Sequence, residues 1–130
     1  MRHLLLALAL LGPAAALAAP ADLQAGYAAA ARQSGSFQPF DAARGQRFFQ
    51  STHGGDWSCS SCHTRDPRQT GRHDVTGKVI KPLAPAVNPE RFAQAAKVEK
   101  WFRRNCRDVL ERECTAQEKG DVLAYLLSLK

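Results

Sequence analysis

The sequence predicts an all-α domain of about four helices, folded around something larger than its own side chains. Three observations predict it. Helical periodicity recurs in four segments, and no segment makes a good strand. From Ser51 to Val87, more than 30 residues rich in Gly and Pro carry no evident regular element. Such a stretch is unusual in a compact domain unless a large ligand supplies the surface it wraps. The chain is also short: 130 residues, 45% apolar and only 8% aromatic, make a modest core for one domain. That size excludes a large nucleotide-binding α/β enzyme, and 23% charged residues argue against wholesale disorder.

The first helix spans Ala21 to Arg32, alanine-rich, with Leu23 and Tyr27 four apart on one side. Gln33 to Phe40 is a loop rich in Ser, Gly and Pro. Asp41 caps a second helix to about Gln50, where Gly45, Phe48 and Phe49 share a face. A third helix takes its start signal from Asn88, Pro89 and Glu90 and runs to Cys106 or Arg107. Ala95, Val98, Trp101, Phe102 and Asn105 fall on one arc of it, so the Asn105 amide needs a partner or faces a cofactor. The fourth helix opens on the capping box Thr115 to Glu118, with Val122, Tyr125, Leu126 and Leu129 as its stripe.

Ahead of these, Arg2, the apolar run Leu4 to Leu11, Gly12-Pro13 and the small-residue box Ala16-Leu17-Ala18 have the order of a secretory signal peptide. Cleavage after Ala18 is preferred, because a cut after Ala19 would place Pro20 directly beyond the scissile bond. Residues 1–18 are therefore expected to be removed and 19–130 to form the domain, in the periplasm. An uncleaved anchor would need about 20 apolar residues, and Leu4 to Ala19 offers 16, broken by Gly12-Pro13. The mature chain would carry 17 Lys and Arg against 12 Asp and Glu. Between Arg65 and Arg107 there are 11 basic and 4 acidic residues. An exported chain seldom meets nucleic acid, so this basic stretch suits an acidic protein partner or serves as plain solvated surface.

Cys59-Ser60-Ser61-Cys62-His63 is a CxxCH sequence, the attachment pattern of a single covalent haem c. Two thiols three positions apart can add to vinyl groups on adjacent pyrroles, and the next imidazole then reaches the iron from one face. A thioredoxin-like redox pair would need a strand and a helix around the motif. A zinc site would need four ligands, recruited from His53, His73 or the distant cysteines. Neither suits an exported chain with a long irregular middle as well as haem does.

With a helix carrying Gly45 and Phe49, then CxxCH, a looped middle and a terminal helix ending DVLAYLLSL, the chain resembles class I cytochromes c. That resemblance implies helices wrapped around the haem. It also implies a helix crossing at Gly45 against an aromatic, Tyr125 or Phe49, with Pro82 or a neighbouring group accepting the His63 Nδ1 proton. Most electron-transferring members of that class use methionine as second axial ligand. The only methionine here is Met1. His53, His73, Asn105 and an open position remain. Asn105 lies 42 residues beyond His63 on the inward arc of a helix, whereas both histidines start from loops on the proximal side.

The run Val98-Glu99-Lys100-Trp101-Phe102-Arg103-Arg104-Asn105-Cys106, then Cys114-Thr115 and Glu118-Lys119, is similar to the SHP-type oxygen-binding monohaem cytochromes c. So are Gly77-Lys78, Pro82 to Pro85, and Ala25-Gly26-Tyr27. The resemblance implies that Cys59 and Cys62 hold the haem, His63 binds iron proximally and Asn105 binds it distally in the ferric form. Val98 and Trp101 then wall the site. It further implies a Cys106–Cys114 disulfide, electron partners among other cytochromes or a membrane electron donor, and a small gaseous ligand such as O2 or NO. His53 and His73 depart from the family pattern and could compete for the iron. The alternative is a plain six-coordinate electron carrier with a His distal ligand. A turnover enzyme is a third reading, for which no second catalytic residue can be named.

Overall fold

The computed structural model describes residues 19–130. The expected signal peptide, 1–18, lies outside the described residues. Five helices and one small strand pair follow in order among them: α1 (Pro20–Gln33), α2 (Ala42–Gln50), α3 (Cys59–His63), β1 (Gly71–Arg72), β2 (Val79–Ile80), α4 (Ala95–Leu110) and α5 (Ala116–Ser128). No helix among the described residues is long and apolar enough to cross a membrane.

Local chemistry sets most boundaries. Pro20 occupies the first turn of α1, and Asp22 reaches back to accept from the Ala19 amide at 3.0 Å. Asp41 caps α2 by accepting from the Arg44 amide at 2.6 Å. Thr115 and Glu118 close a reciprocal box at α5, at 3.2 and 2.7 Å. The strands, which the sequence reading did not anticipate, are two residues each and antiparallel, with Gly71 opposite Ile80 and Arg72 opposite Val79.

The start of α4 departs from expectation. The helix begins at Ala95, not after Asn88. The Asn88 side chain donates to the Pro82 carbonyl at 2.9 Å instead of capping, and residues 89–93 form turns. Phe92, at φ 65°, is buried in the core and redirects the chain before the helix begins. The side chain whose oxygen would have capped the helix is held across the loop by its Nδ2 bond.

The core centres on α5, which α1 and α2 both pack against. Val122, Leu123, Tyr125 and Leu126 are buried there with Leu23, Tyr27 and Phe49. Having neighbours on two sides, α5 buries Leu123 as well as Val122, Tyr125 and Leu126 of its expected stripe, whereas Leu129 is half-buried just past the helix end. The α2–α5 crossing occurs at Gly45, where a Cβ would overlap the Asp121 carbonyl and meet Tyr125 Cβ at 3.0 Å. Beside it Asp121, 3% exposed, accepts from Arg44 Nη2 at 2.7 Å, the Asp41 amide at 3.0 Å and Gln117 Nε2 at 3.2 Å. A buried carboxylate is tolerable only when satisfied in this way.

Candidate haem site

Ser58 and Ser61 exchange hydrogen bonds at the start of α3, Ser61 amide to Ser58 Oγ at 3.2 Å and Ser58 amide to Ser61 Oγ at 3.0 Å. This box fixes a helix of five residues carrying Cys59, Cys62 and His63. Both cysteines are free thiols, and Cys59 packs against the core cluster. Burial above all pushes the Cys59 thiol up to about 11. Cys62 Sγ accepts from the Asp74 amide at 3.3 Å.

β1 lies flush on this turn. A side chain at Gly71 would overlap the Cys62 carbonyl and meet His63 Cα at 3.2 Å. Thr64, immediately after the motif, sits at φ 63° and ψ 164°, a strained conformation for a β-branched residue, at the point where the chain leaves α3. His63 is half-buried, its ring 6.3 Å from that of Phe49. Burial, with the Arg91 charge second, lowers its pKa to about 4, so the imidazole is neutral near pH 7, as an iron ligand must be. The Pro82 carbonyl expected to orient it is otherwise engaged, accepting from Asn88 Nδ2 and Arg91 Nε, each at 2.9 Å.

The two loop histidines are held locally. His53 Nε2 lies 2.9 Å from the Phe48 carbonyl, and its ring stacks on Phe48 with centroids 4.4 Å apart. His73 Nδ1 accepts from the amides of Val75 and Thr76, at 3.2 and 3.3 Å, inside the β1–β2 turn. Asn105 is half-buried on α4, and its side-chain amide enters no hydrogen bond with the described residues. On the same helix Val98 is buried and Phe102 half-buried. Trp101 is 43% exposed, with the Arg104 guanidinium 5.2 Å and the Lys100 ammonium 6.0 Å from its ring centroid. The packed centre of the predicted arc is therefore Val98 with Phe102 and Cys106, and Ala95 is exposed.

One turn beyond Asn105, the end of α4 meets the loop that leads into Cys59. Asp108 to Glu111 and His53 to Trp57 line a cleft of about 440 Å³, and a Cβ on Gly55 would lie 3.7 Å from the Val109 carbonyl. The Cys106–Cys114 disulfide ties this end of α4 to the start of α5, with Cα atoms 5.6 Å apart. Asn105 thus belongs to a helix whose end is tied to α5 and shares a cleft with the loop preceding Cys59.

These residues fit a haem. Two uncommitted thiols three positions apart and a neutral imidazole beside them form the donor set. Trp57, Val75, Val79, Val87 and Trp101 leave apolar surface exposed. The zinc reading finds no support, since among the described residues no three His, Cys, Asp or Glu come together and the distant cysteines pair with each other. Sequence reasoning missed Arg91, half-buried in the turns before α4, because the segment read as helix. It also missed the Tyr27–Glu99–Lys119 cluster, for which the Tyr27 spacing gave only a burial signal.

Residues 35–126 match a family described as a domain of unknown function, DUF1924. The chain is 47% identical to the cytochrome c-type protein SHP of Cereibacter sphaeroides, over 96% of each chain. It superposes on the structure of oxidized SHP, an oxygen-binding cytochrome c, with a TM-score of 0.75 over 83% of this chain and 95% of that one. Oxidized cytochrome c'' of Methylophilus methylotrophus superposes with a TM-score of 0.73 at 35% identity, over 85% of this chain and 94% of that one. The helical arrangement is that of these cytochromes c.

Proposed function

Because the chain belongs to the SHP-type cytochromes c, we propose that it is an exported cytochrome that accepts one electron and binds a small diatomic gas at a distal position controlled by Asn105. Cys59 and Cys62 hold one haem c through thioethers, and His63 is the proximal ligand. The haem supplies a reversible one-electron centre and an iron position that π-accepting gases favour when reduced.

Asn105 supplies the selectivity. Its amide oxygen is a hard, neutral donor with little capacity to accept electron density, so it holds the ferric state and lets go of the ferrous one. Val98 and Trp101, two turns and one turn back on α4, wall the vacated side. The observation that carries this reading is the half-buried Asn105 side-chain amide with no hydrogen-bond partner among the described residues, on the helix whose end lines a cleft with the loop entering CxxCH. The competing ligands are disfavoured by their own hydrogen bonds, His53 to Phe48 and His73 to the 75–76 amides.

Carbon monoxide added to dithionite-reduced holoprotein should shift the Soret band at once. A reduced spectrum unchanged over minutes identifies a six-coordinate carrier instead. N105A should turn the ferric spectrum high-spin or water-bound; an unaltered low-spin spectrum rejects Asn105. Alkaline pyridine should give the haem c chromogen, and its absence removes the proposal.

A further inference from the structure

We infer that Tyr27 and Glu99 form a proton-coupled redox site, where the phenol gives an electron to peroxide reacting at the haem and its proton to the carboxylate. The inference rests on the reading that haem is held at CxxCH with α4 on its distal side, whichever residue binds the iron there.

Tyr27 is 7% exposed on α1, yet its hydroxyl donates to Glu99 Oε1 on α4 at 2.5 Å, the short distance of an O–H bonded to an ionised carboxylate. Lys119 of α5 donates to the other Glu99 oxygen at 2.6 Å. These two bonds outweigh the desolvation of the carboxylate and keep it ionised, so the phenol already touches a proton acceptor. The Tyr27 ring meets Phe102 edge to face, with centroids 6.1 Å apart, and Phe102 lies one turn before Asn105. One aromatic contact thus leads from the phenol to the stretch of α4 beside the haem.

The other oxidisable rings lack this arrangement. Trp101 has the Arg104 guanidinium 5.2 Å and the Lys100 ammonium 6.0 Å from its ring centroid, and both oppose the positive charge that an oxidised indole first carries. The Tyr125 ring lies 5.7 Å from that of Phe49, but the hydrogen-bonding side chains at its hydroxyl are the neutral amides of Gln46 and Gln50. An oxidised phenol is a far stronger acid than the phenol itself, so even a carboxylate held below its usual pKa takes the proton. What remains at Tyr27 is a neutral phenoxyl radical, which Lys119, 5.6 Å from the ring centroid, disfavours less than it would a cation.

A ferrous haem that carries O2 is itself a source of the oxidant. When the ligand departs as superoxide, two superoxides and two protons disproportionate to O2 and H2O2. Breaking the O–O bond of H2O2 takes two electrons; one oxygen leaves as water with both peroxide protons, and the other stays on the iron. The iron supplies one electron and Tyr27 the other. The phenol O–H bond breaks, its electron passing by way of Phe102 and its proton moving to Glu99 Oε1, which becomes a carboxylic acid. Oxidising power is thereby drawn away from the porphyrin, and one electron from a reductant, with the proton held on Glu99, restores the phenol.

Ferric holoprotein mixed with equimolar hydrogen peroxide, freeze-quenched and read by electron paramagnetic resonance, tests this. Wild type should give a radical signal that narrows when the protein is grown on ring-deuterated tyrosine. Y27F keeps the ring without the hydroxyl; it should lose that signal and bleach its Soret band faster. E99Q keeps a hydrogen-bond acceptor but no base, and its signal should fall, whereas Y125F should keep the signal of wild type. The carbon monoxide shift of each reduced variant reports an intact haem pocket. A tyrosyl signal that persists in Y27F, or vanishes only in Y125F, overturns the inference, and so does a wild type that bleaches without any tyrosyl signal. Should Y27F fail to fold, an undiminished signal in E99Q overturns it alone. A wild type without the haem c chromogen removes the inference together with its premise, before any peroxide is added. A negative N105A result leaves it standing.

Discussion

A missing side chain at position 45 decides how closely α2 and α5 approach. Any Cβ there would overlap the Asp121 backbone carbonyl, and a backbone atom cannot swing aside as a side-chain tip can. G45A must therefore part the two helices around buried Phe49, Tyr125 and Asp121. We expect a loss of about 3 kcal/mol or more, the range of severe overpacking. G26A is the contrasting case, since nothing lies within 4 Å of a Cβ at that helical position. It should stabilise by roughly 0.5–1 kcal/mol through helix propensity. Urea unfolding of both variants followed by far-UV circular dichroism checks the pair. Equal effects at the two positions would mean that the crossing is not set by Gly45.

At the scale of elements, α4 is held by its side chains. Tyr27 of α1 donates to Glu99 at 2.5 Å, and Lys119 of α5 donates to the other Glu99 oxygen at 2.6 Å. Desolvation works against the Glu99 carboxylate, but the bonds from Lys119 and Tyr27 outweigh it and hold its pKa below the usual value. Burial, and then the bond to Glu99, push Tyr27 far above the ordinary phenol range. The signs follow. Glu99 contributes stability present above about pH 4.5 and lost as pH falls through its lower folded pKa. Tyr27 contributes stability complete below about pH 10 and lost above it, at about 1.4 kcal/mol per pH unit. In thermal melts across pH, Y27F should flatten the alkaline limb and E99Q the acid limb. Unchanged limbs would mean that the cluster is not a tie. At the other end of α4, C106S/C114S should cost roughly 2–3 kcal/mol in the same melts, the loop-closure term for so short a loop. Helices α1, α2 and α5 were legible because each carries both a period and a cap made by its own neighbours. The start of α4 was not, since the Asn88 side chain is held by the Pro82 carbonyl six residues back, a bond that exists only once the intervening loop has folded. The same division holds at the site. CxxCH is legible because the covalent chemistry requires adjacent residues, whereas Arg91 acquires meaning only when the Lys81–Pro82 loop folds over it.

For the whole molecule, the relevant quantity is the uneven placement of charge. The chain holds 18 Lys and Arg against 12 Asp and Glu, and the stretch from Arg65 to Arg107 contributes 11 of the former and 4 of the latter. That stretch surrounds the site in sequence, beginning just after His63 and ending just after Asn105. Some of its cations are neutralised: Arg68 pairs with Asp66, and Arg103 and Arg107 with Glu113. Lys97, Lys100 and Arg104 make no ion pair among the described residues, and they lie one turn apart on the exposed side of α4 that also carries Trp101. A field of this kind raises encounter rates with anions and fades beyond roughly 8–10 Å at physiological salt. Reduction of the holoprotein by an anionic reagent should therefore slow as ionic strength rises, and reduction by a cationic reagent should quicken. The triple change K97E/K100E/R104E should weaken or invert the first dependence, whereas reversing Lys78, on the β1–β2 turn, should alter it less. Stopped-flow rates between about 10 and 300 mM salt decide the matter. If the slope is the same in both variants, electrons enter under the field of the whole chain and no part of α4 directs them.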